Sequence, residues 1–238
     1  MTKVLIATPI CKSKDYCWEE YLSAVKKLKL PRGWIGHHLI VDNSDDCGLQ
    51  ELSEKEQCIY MCINTEKKPM DKLVKSRNAA IDYAAFKEYD WLFFVDSDVI
   101  VPEDAVLKLL DNDIPSDKGS LYFINQRLVS GFYPLISDVG LPEPTGMILN
   151  SRGVYKPIEL DKHDIYEVDL IGMGCCLIHK DLFVHRFRCE RDKNDFLIKS
   201  EDMCYCADLK KLGVIILFDT RVIAKHKIVG EHWDYDTA

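Results

Sequence analysis

An uninterrupted apolar run, Trp91–Val95, ends in Asp96-Ser97-Asp98 and limits the possible folds more than any other part of the sequence. A run without polar alternation is typical of a central strand buried on both faces. Because burying a carboxylate with the strand would be costly, we expect the strand to stop at Val95 and to present both aspartates at its carboxyl end. Ligands of open α/β sheets bind just outside that end, where two carboxylates suit a divalent cation that holds a phosphate. An acidic turn that only caps the following helix is the simpler alternative.

Apolar strand-like segments alternate with helical patterns along the first half of the chain. Strands are predicted at 3–8, 37–41, 58–63 and 91–95, and apolar residues at helical spacing lie between them, most clearly across 70–85. This alternation predicts an α/β fold with a Rossmann-like, mostly parallel central sheet flanked by helices. Pro9 cannot donate to a strand ladder, so the first strand is expected to end at Thr8.

The second half is less regular. The segment 129–157 is rich in Pro, Gly and Ser and lacks clear periodicity, which is typical of a functional loop or lid. Further strands are predicted near 121–124 and at 214–218, and a strand pair or kinked strand is predicted at 169–178. Helices are predicted over 182–187 and from Ser200, a good helix cap, to Gly213. No repeat or linker is visible, so we predict a single domain, 1–238.

Composition argues against several classes of function. The chain has 39 acidic and 31 basic residues and a net charge of −8, which disfavours duplex nucleic acid as a partner. No stretch approaches the ~20 apolar residues of a membrane span, and the run 4–7 is too short for a signal-peptide core. We therefore expect a cytoplasmic protein.

The ten cysteines are distributed mainly through apolar, periodic segments, and no Cys-x-x-Cys pair occurs. This pattern favours reduced core thiols over a disulfide framework or a structural zinc site. Disulfides stay open as an alternative if the source is a hyperthermophile.

Four landmarks follow one another along the chain: Thr8-Pro9, Asp42-Asn43-Ser44, Asp96-Ser97-Asp98 and Glu201-Asp202, with His226 near the end. Their order resembles that in nucleotide-sugar glycosyltransferases of the GT-A fold, particularly the inverting family 2 type, over roughly residues 3–228. The resemblance implies metal-dependent transfer of a sugar from a nucleotide-diphosphate sugar to an acceptor hydroxyl, with inversion. It also implies a donor-binding half, 1–125, and an acceptor-side half, 126–238. Spacing alone predicts only a parallel sheet with a carboxylate-lined edge.

The resemblance implies which residues would hold the donor. Thr8, Pro9 and Ile10 would form the first wall of the nucleotide pocket, and Asp42 would accept hydrogen bonds from the ribose or base. The remaining donor-side residues are Lys75, Arg77, Asp96, Ser97 and Gly174, the last within a Gly172-Met173-Gly174 segment that leaves room for the sugar. The chain departs from the family at Asp42-Asn43-Ser44-Asp45, where relatives show Asp-Asp-Gly-Ser.

The resemblance also implies the metal and catalytic residues. Asp98 would bind Mn²⁺ or Mg²⁺ directly, Asp96 would share the metal or contact the ribose, and His226 would complete the site and favour Mn²⁺. Asp202 would take the proton of the acceptor hydroxyl, with Glu201 in a supporting or principal part. The simpler alternatives are a structural histidine and a carboxylate that only complements a helix dipole.

Three other functions remain open on the sequence. A GT-A-like domain could bind a nucleotide or glycan as an inactive adaptor, and retaining enzymes share the Asp-x-Asp motif. Sugar nucleotidyltransferases have a similar sheet but begin with a glycine-rich phosphate loop, whereas Ala7-Thr8-Pro9-Ile10-Cys11 contains no glycine.

Overall fold

A computed structural model describes residues 1–63, 66–111, 128–136, 142–160, 163–228 and 231–233. The strand predicted near 121–124 lies outside the described residues. Five α-helices occur within them: α1 (Trp18–Lys26), α2 (Gln50–Lys55), α3 (Pro69–Phe86), α4 (Ala105–Leu110) and α5 (Glu201–Lys211). Short 3₁₀ turns span Lys12–Cys17 and Lys180–Leu182.

Within the described residues, the strands form one large sheet and four small ones. In chain order they are β1 (Lys3–Ile10), β2 (Ile35–Asp42), β3 (Ile59–Cys62), β4 (Trp91–Val95), β5 (Val99–Ile100), β6 (Leu128–Phe132), β7 (Pro134–Ile136), β8 (Pro142–Pro144), β9 (Met147–Leu149), β10 (Tyr155–Pro157), β11 (Ile165–Val168), β12 (Cys175–His179), β13 (Glu190–Arg191), β14 (Leu197–Lys199), β15 (Ile216–Ile223), β16 (Lys225–Ile228) and β17 (Glu231–Trp233).

The large sheet has eight strands in the order β11-β15-β6-β12-β4-β1-β2-β3. The half formed by β4, β1, β2 and β3 is wholly parallel, as the alternation of strands and helices predicted. In the other half β6 and β15 are parallel, while β12 lies antiparallel between β4 and β6 and β11 is an antiparallel edge strand. Four of the seven pairings are therefore parallel, and the predicted α/β architecture with a mostly parallel sheet is confirmed.

Strand β4 is central and buried on both faces, which explains why its sequence shows no polar alternation. Leu92 and Phe94 pack into a core cluster that includes residues of α3 and α5, whereas Phe93 and Val95 pack into a second cluster with α1 and α4. All four side chains are fully buried. Helices therefore cover both faces of the sheet. No helix in the described ranges has the length and apolar character needed to cross a membrane.

The first strand continues past its predicted end at Thr8. Pro9 lies within β1, opposite Val41, and the strand ends only at Ile10. The Ile10 carbonyl accepts a hydrogen bond from the Asn43 N–H on the β2 side, so Pro9 faces the other side. There the pairing with β4 already ends at Ala7. The missing N–H of Pro9 therefore costs no ladder hydrogen bond.

The prediction of an irregular segment from 129 to 157 is wrong at its start. Residues 128–132 form β6, a buried strand between β12 and β15. Ser130 and Gly131 interrupt the apolar pattern of this strand, so the sequence did not predict it. The Ser130 hydroxyl is satisfied by the Gly172 carbonyl at 3.0 Å, and a side chain on Gly131 would lie 2.7 Å from Val222. The small and polar residues at these positions therefore reflect close packing inside the sheet and do not mark a loop.

Two further elements differ from their predictions. Only a 3₁₀ turn at Lys180–Leu182 forms where a helix over 182–187 was expected. The strand pair or kinked strand predicted at 169–178 is reduced to one strand, β12, which begins at Cys175 because residues 171–174 are irregular and end in a bend and a turn.

The expectation that all cysteines are reduced is wrong for one pair. Cys47 and Cys62 form a disulfide between the loop after β2 and the end of β3. Spacing did not indicate the pair, because the two residues meet only through the parallel alignment of β2 with β3. The other eight cysteines are free, and Cys175, Cys176, Cys204 and Cys206 are fully buried as predicted.

We predict that His38, on β2, makes folding stability depend on pH. Its Nε2 lies 2.8 Å from the Tyr21 hydroxyl and its Nδ1 lies 3.2 Å from Cys58 Sγ, and burial lowers the pKa of His38 to about 4. An unfolded chain protonates this histidine near pH 6.5. The stabilisation is therefore complete above about pH 6.5 and is lost as the pH falls towards 4, by about 2–3 kcal/mol.

Urea unfolding of the wild type and of His38→Gln at pH 7 and pH 4.5 checks this expectation. All other groups titrate in both proteins, so the difference between them isolates His38. The stability difference should shrink by about 2–3 kcal/mol at the lower pH. Equal pH dependence in the two proteins would contradict the prediction.

Candidate active site

The candidate site lies at the carboxyl edge of the parallel strands, where β1, β2 and β4 end together. Immediately after β4 the chain turns sharply, with the Val99 N–H donating to the Asp96 carbonyl at 2.9 Å. The Asp96 N–H donates to the Gly174 carbonyl at 3.0 Å, which joins this turn to the segment before β12. Asp96 and Asp98 are thereby held at the edge of the sheet, as the sequence predicted.

A buried arginine joins Asp96 to the amino-terminal end of α5. Arg77, on α3, is 2% exposed. Its Nη2 donates to Asp96 at 3.1 Å and its Nε donates to Glu201 at 3.2 Å. The guanidinium carbon lies 5.1 Å from the centre of the Phe94 ring and 5.9 Å from that of Phe187, a cation–π arrangement. Arg77 thus serves two carboxylates from different halves of the chain.

Burial and charge oppose each other in this cluster. Burial raises the pKa of Asp96, with Arg77 opposing the shift and the nearby Asp98 and Glu201 adding to it. Burial likewise raises the pKa of Glu201, with Arg77 opposing and Asp202 adding to the shift. One guanidinium therefore faces more negative charge than it can balance. Its Nη1 has no hydrogen-bond partner within the described part of the chain.

Asp202, the predicted base, lies in the first turn of α5 beside Glu201 but in a different environment. Glu201 is 4% exposed, whereas Asp202 is only half-buried. The Ser200 hydroxyl and the Met203 N–H, at 2.8 Å, both donate to Asp202 Oδ1. Within the described ranges, both donors to this carboxylate use the same oxygen. Oδ2 is therefore the oxygen that could accept a proton, while Glu201 is committed to Arg77.

Asp98 and His226 meet across the edge of the sheet. Strand β16 pairs with β5 so that His226 lies opposite Val99, which places its Nε2 3.5 Å from Asp98 Oδ2. The Pro134 carbonyl accepts a hydrogen bond from His226 Nδ1 at 2.9 Å. Nε2 of the neutral ring therefore carries the lone pair, the arrangement usual for a histidine that binds a metal.

The donor set fits a hard divalent cation. Asp98 supplies a carboxylate oxygen and His226 a correctly oriented imidazole nitrogen. No group of three or more His, Cys, Asp or Glu side chains that could hold a metal occurs among the described residues. Mg²⁺ and Mn²⁺ sites that serve phosphates commonly use one or two protein ligands and complete the shell with phosphate oxygens and water. The pair suits such a shared site better than a closed metal cage.

No sequence pattern indicated Lys14, which contacts the predicted metal ligand. The 3₁₀ turn after β1 places Lys14 Nζ 2.5 Å from Asp98 Oδ2. Burial would raise the pKa of Asp98, but contacts with the protonated His226 ring and with Lys14 outweigh it and lower that pKa. Burial would lower the pKa of His226, but the contact with Asp98 outweighs it and raises that pKa.

Tyr133 is a second residue that the sequence did not indicate. Its buried hydroxyl accepts a hydrogen bond from the Gly174 N–H at 2.9 Å. A Cβ on Gly172 would lie 2.2 Å from this hydroxyl, and a Cβ on Gly174 would lie 3.0 Å from Asp96 Oδ2. The space that we expected these glycines to leave for a sugar is thus filled by the tyrosine ring, which also contacts His226 edge-on. Tyr133 lies just after β6, which was not predicted as a strand, so no sequence pattern indicated this tyrosine.

Asp42 lies at the carboxyl end of β2, as predicted, but its carboxylate faces its own loop. It accepts hydrogen bonds from the N–H groups of Ser44 at 2.8 Å and Leu49 at 3.1 Å, and the Tyr60 hydroxyl lies 2.9 Å away. The side chain is fully buried. In this structure Asp42 therefore shapes the loop 43–49, and any contact with a nucleotide would be made by the loop.

The remaining predicted donor residues are dispersed. Thr8 is buried in β1, where its hydroxyl bonds Tyr21 and lies 3.3 Å from His38. Pro9 and Ile10 are also buried. Ser97 is buried and its carbonyl accepts a hydrogen bond from Cys17, while Lys75 is half-exposed and pairs with Glu66 at 3.2 Å. The structure therefore brings together Arg77, Asp96, Asp98, Glu201, Asp202 and His226, but not Lys75 or the Thr8 hydroxyl.

No protein-family model matches the chain, and no curated protein matches it. Similar solved structures exist. The mannosyltransferase PcManGT from Pyrobaculum calidifontis, in complex with GDP-Man and Mn²⁺, matches with a TM-score of 0.57 and 12% identity over 93% of this chain and 55% of that chain. TarS 1-349 from S. aureus, in complex with UDP-GlcNAc, matches with a TM-score of 0.51 and 19% identity over 98% and 60%. This chain covers 55% and 60% of those two solved chains, and its GT-A-like α/β fold is similar to theirs.

Proposed function

We propose that the chain is a metal-dependent glycosyltransferase that moves a sugar from a nucleotide-diphosphate sugar to an acceptor hydroxyl with inversion. The observation that carries this proposal is the meeting of Asp98 Oδ2 with the lone-pair nitrogen of His226 at the carboxyl edge of a GT-A-like sheet. The neighbouring Asp96–Arg77–Glu201 cluster ties this edge to the helix that carries Asp202.

The donor side follows from the two ligands. Asp98 and His226 would hold Mn²⁺ or Mg²⁺, which when bound would stabilise the negative charge on the departing nucleoside diphosphate. Asp96, 27% exposed and held by Arg77, is suited to accept hydrogen bonds from the donor's ribose or to share the metal. The loop 43–49, held by Asp42, would form part of the nucleotide wall.

The acceptor side follows from Asp202. The acceptor oxygen attacks the anomeric carbon, the bond from that carbon to the phosphate oxygen breaks, and Asp202 Oδ2 takes the hydroxyl proton. A single displacement of this kind inverts the anomeric configuration. Glu201 stays bound to Arg77 and positions the turn that carries Asp202. The different burial of the two acids therefore favours a positioning role for Glu201 and a catalytic role for Asp202.

The donor panel can begin with the ligands of the similar structures. TarS was solved with UDP and UDP-GlcNAc, and PcManGT with GDP-Man. We therefore propose incubation with Mn²⁺ and UDP- or GDP-linked sugars, with release of nucleoside diphosphate as the readout. Saturable, Mn²⁺-dependent nucleotide binding without turnover towards any donor or acceptor would favour the adaptor. Pyrophosphate release from a nucleoside triphosphate and a sugar phosphate would favour nucleotidyltransfer, and NMR of the product anomer separates inversion from retention.

Replacing Asp98 with asparagine should weaken metal-dependent donor binding by at least about tenfold, because a neutral amide is a poorer ligand for a hard cation. The measurement is the Mn²⁺ concentration that gives half-maximal nucleotide binding, with binding monitored by isothermal titration calorimetry. Asp104→Asn is a matched control, since Asp104 pairs with Lys108 on the surface and its loss should change nothing measurable. Unchanged Mn²⁺ dependence in Asp98→Asn would remove Asp98 from the metal site.

A further inference from the structure

The 3₁₀ turn Lys12–Cys17 lies against the predicted metal ligand and is anchored there by two of its own side chains. Cys17 Sγ donates to the Ser97 carbonyl at 3.0 Å, and the Tyr16 hydroxyl donates to the Lys227 carbonyl at 3.2 Å. The Lys227 N–H in turn donates to the Asp98 carbonyl at 2.7 Å. The turn and β16 therefore hold Asp98 from two sides.

The side chain of Lys14 reaches from this turn to the oxygen that also faces His226. Lys14 Nζ lies 2.5 Å from Asp98 Oδ2, and His226 Nε2 lies 3.5 Å from the same atom. Lys14 is 38% exposed, so its ammonium approaches from the solvent side, whereas Asp98 is 13% exposed. A cationic group of the chain itself thus occupies the open side of the carboxylate.

We propose that Lys14 competes with the divalent cation for Asp98, so that the cation binds tightly only together with a nucleoside diphosphate. This inference rests on the proposed function, because it concerns the same metal site. A divalent cation on Asp98 and His226 would lie beside the ammonium, and two positive charges at contact distance repel each other strongly. The ammonium must therefore leave Asp98 when the cation arrives.

A bound diphosphate offers the displaced ammonium a new partner. Phosphate oxygens would complete the coordination of the cation and would offer negative charge to a lysine close by. Only the side chain of Lys14 has to rotate in this displacement. The backbone can stay in place, where the Lys14 N–H donates to the Cys11 carbonyl at 3.0 Å and the Lys14 carbonyl accepts a hydrogen bond from Cys17 Sγ. If the metal binds alone, the Lys14–Asp98 ion pair is lost and the ammonium gains no new partner. If a diphosphate binds with the metal, the ammonium regains an ionic contact. Binding of the two ligands is thereby coupled.

The experiment compares Lys14→Met with Lys12→Met. Lys12 lies in the same turn but pairs with Asp46 at 3.0 Å, so it is a matched control. Mn²⁺ affinity is measured on the complete chain by electron paramagnetic resonance of free Mn²⁺, first alone and then with saturating UDP or GDP. Lys14→Met should bind Mn²⁺ alone about tenfold more tightly than the wild type, the effect of removing one close charge repulsion. Its gain from added nucleotide should be smaller by a similar factor, and Lys12→Met should match the wild type.

Wild-type Mn²⁺ affinity in Lys14→Met would overturn the inference and leave the contact as a structural ion pair. Weaker Mn²⁺ binding in this variant would overturn it equally. Lys14→Gln serves as a second variant, and circular dichroism shows that each variant is folded. Because the readout is Mn²⁺ affinity without a sugar donor, it is independent of turnover. A protein that shows the expected affinities but transfers no sugar would refute the proposed function and not this inference.

Discussion

Replacing Arg77 with methionine is expected to lower the free energy of unfolding by about 3–5 kcal/mol, the largest stability effect we predict. Arg77 is 2% exposed and is the cationic partner of both Asp96 and Glu201. Methionine fills much of the same apolar space between Phe94 and Phe187 but leaves two carboxylates without their counter-charge. Breaking a buried ion pair from one side costs far more than the pair itself contributes, because the remaining charge stays buried.

Urea unfolding at pH 7 measures this loss, with Lys75→Met as the matched control. Lys75 lies two residues earlier on the same helix, is 43% exposed and pairs with Glu66, so its loss should cost about 1 kcal/mol or less. The penalty for Arg77→Met should also shrink as the pH falls, because protonation of Asp96 and Glu201 removes the unbalanced charge. Equal stability of the two variants would show that the cluster is not held together by Arg77.

Replacing Asp202 with asparagine is expected to lower kcat by about 10²–10⁴, the usual contribution of a general base. The amide keeps the size of the side chain and can still accept hydrogen bonds from Ser200 and the Met203 N–H, but it cannot take the acceptor proton. Nucleotide affinity in the presence of Mn²⁺ should stay within about twofold of the wild type, because Asp202 makes no proposed contact with the leaving group.

Steady-state release of nucleoside diphosphate measures the rate, and calorimetry with UDP or GDP measures binding. Asp208→Asn is the control on the same helix, since Asp208 pairs with Arg188 at the surface, and it should retain the wild-type rate. Glu201→Gln separates the two acids. In Glu201→Gln, a loss of rate accompanied by a loss of stability would fit the contact of Glu201 with Arg77. Near-normal turnover in Asp202→Asn would show that another residue is the base.

Much of the fold was predictable because the parallel half of the sheet has a simple sequence pattern. Strand β4 is buried on both faces, so Leu92–Val95 could not contain polar residues, and the first polar residues had to mark its end. The same reasoning correctly placed Asp42 at the end of β2. Strand β6 escaped detection because Ser130 and Gly131 meet requirements set by distant residues, Gly172 and Val222.

The candidate site was predictable only in part, for a related reason. Asp96 and Asp98 were predicted from the end of the buried strand, and the resemblance to a family added Glu201-Asp202. The structure places these acids near one another. Tyr133 and Lys14 were missed, because each acquires its position from contacts with residues far away in the sequence. Tyr133 fills the space left by Gly172 and Gly174, and Lys14 reaches Asp98 across 84 positions.

The amino-acid sequence alone predicts the elements whose burial depends on neighbouring residues. These are the apolar strand Trp91–Val95, its acidic end and the alternation of strands and helices that makes an α/β sheet. The pairing of charges depends on the folded chain, which joins Arg77 to Asp96 and Glu201, orients His226 through the Pro134 carbonyl and places Lys14 beside Asp98. Burial of a strand shows in consecutive residues, whereas two charges distant in sequence become partners only when the order of the strands brings them into contact.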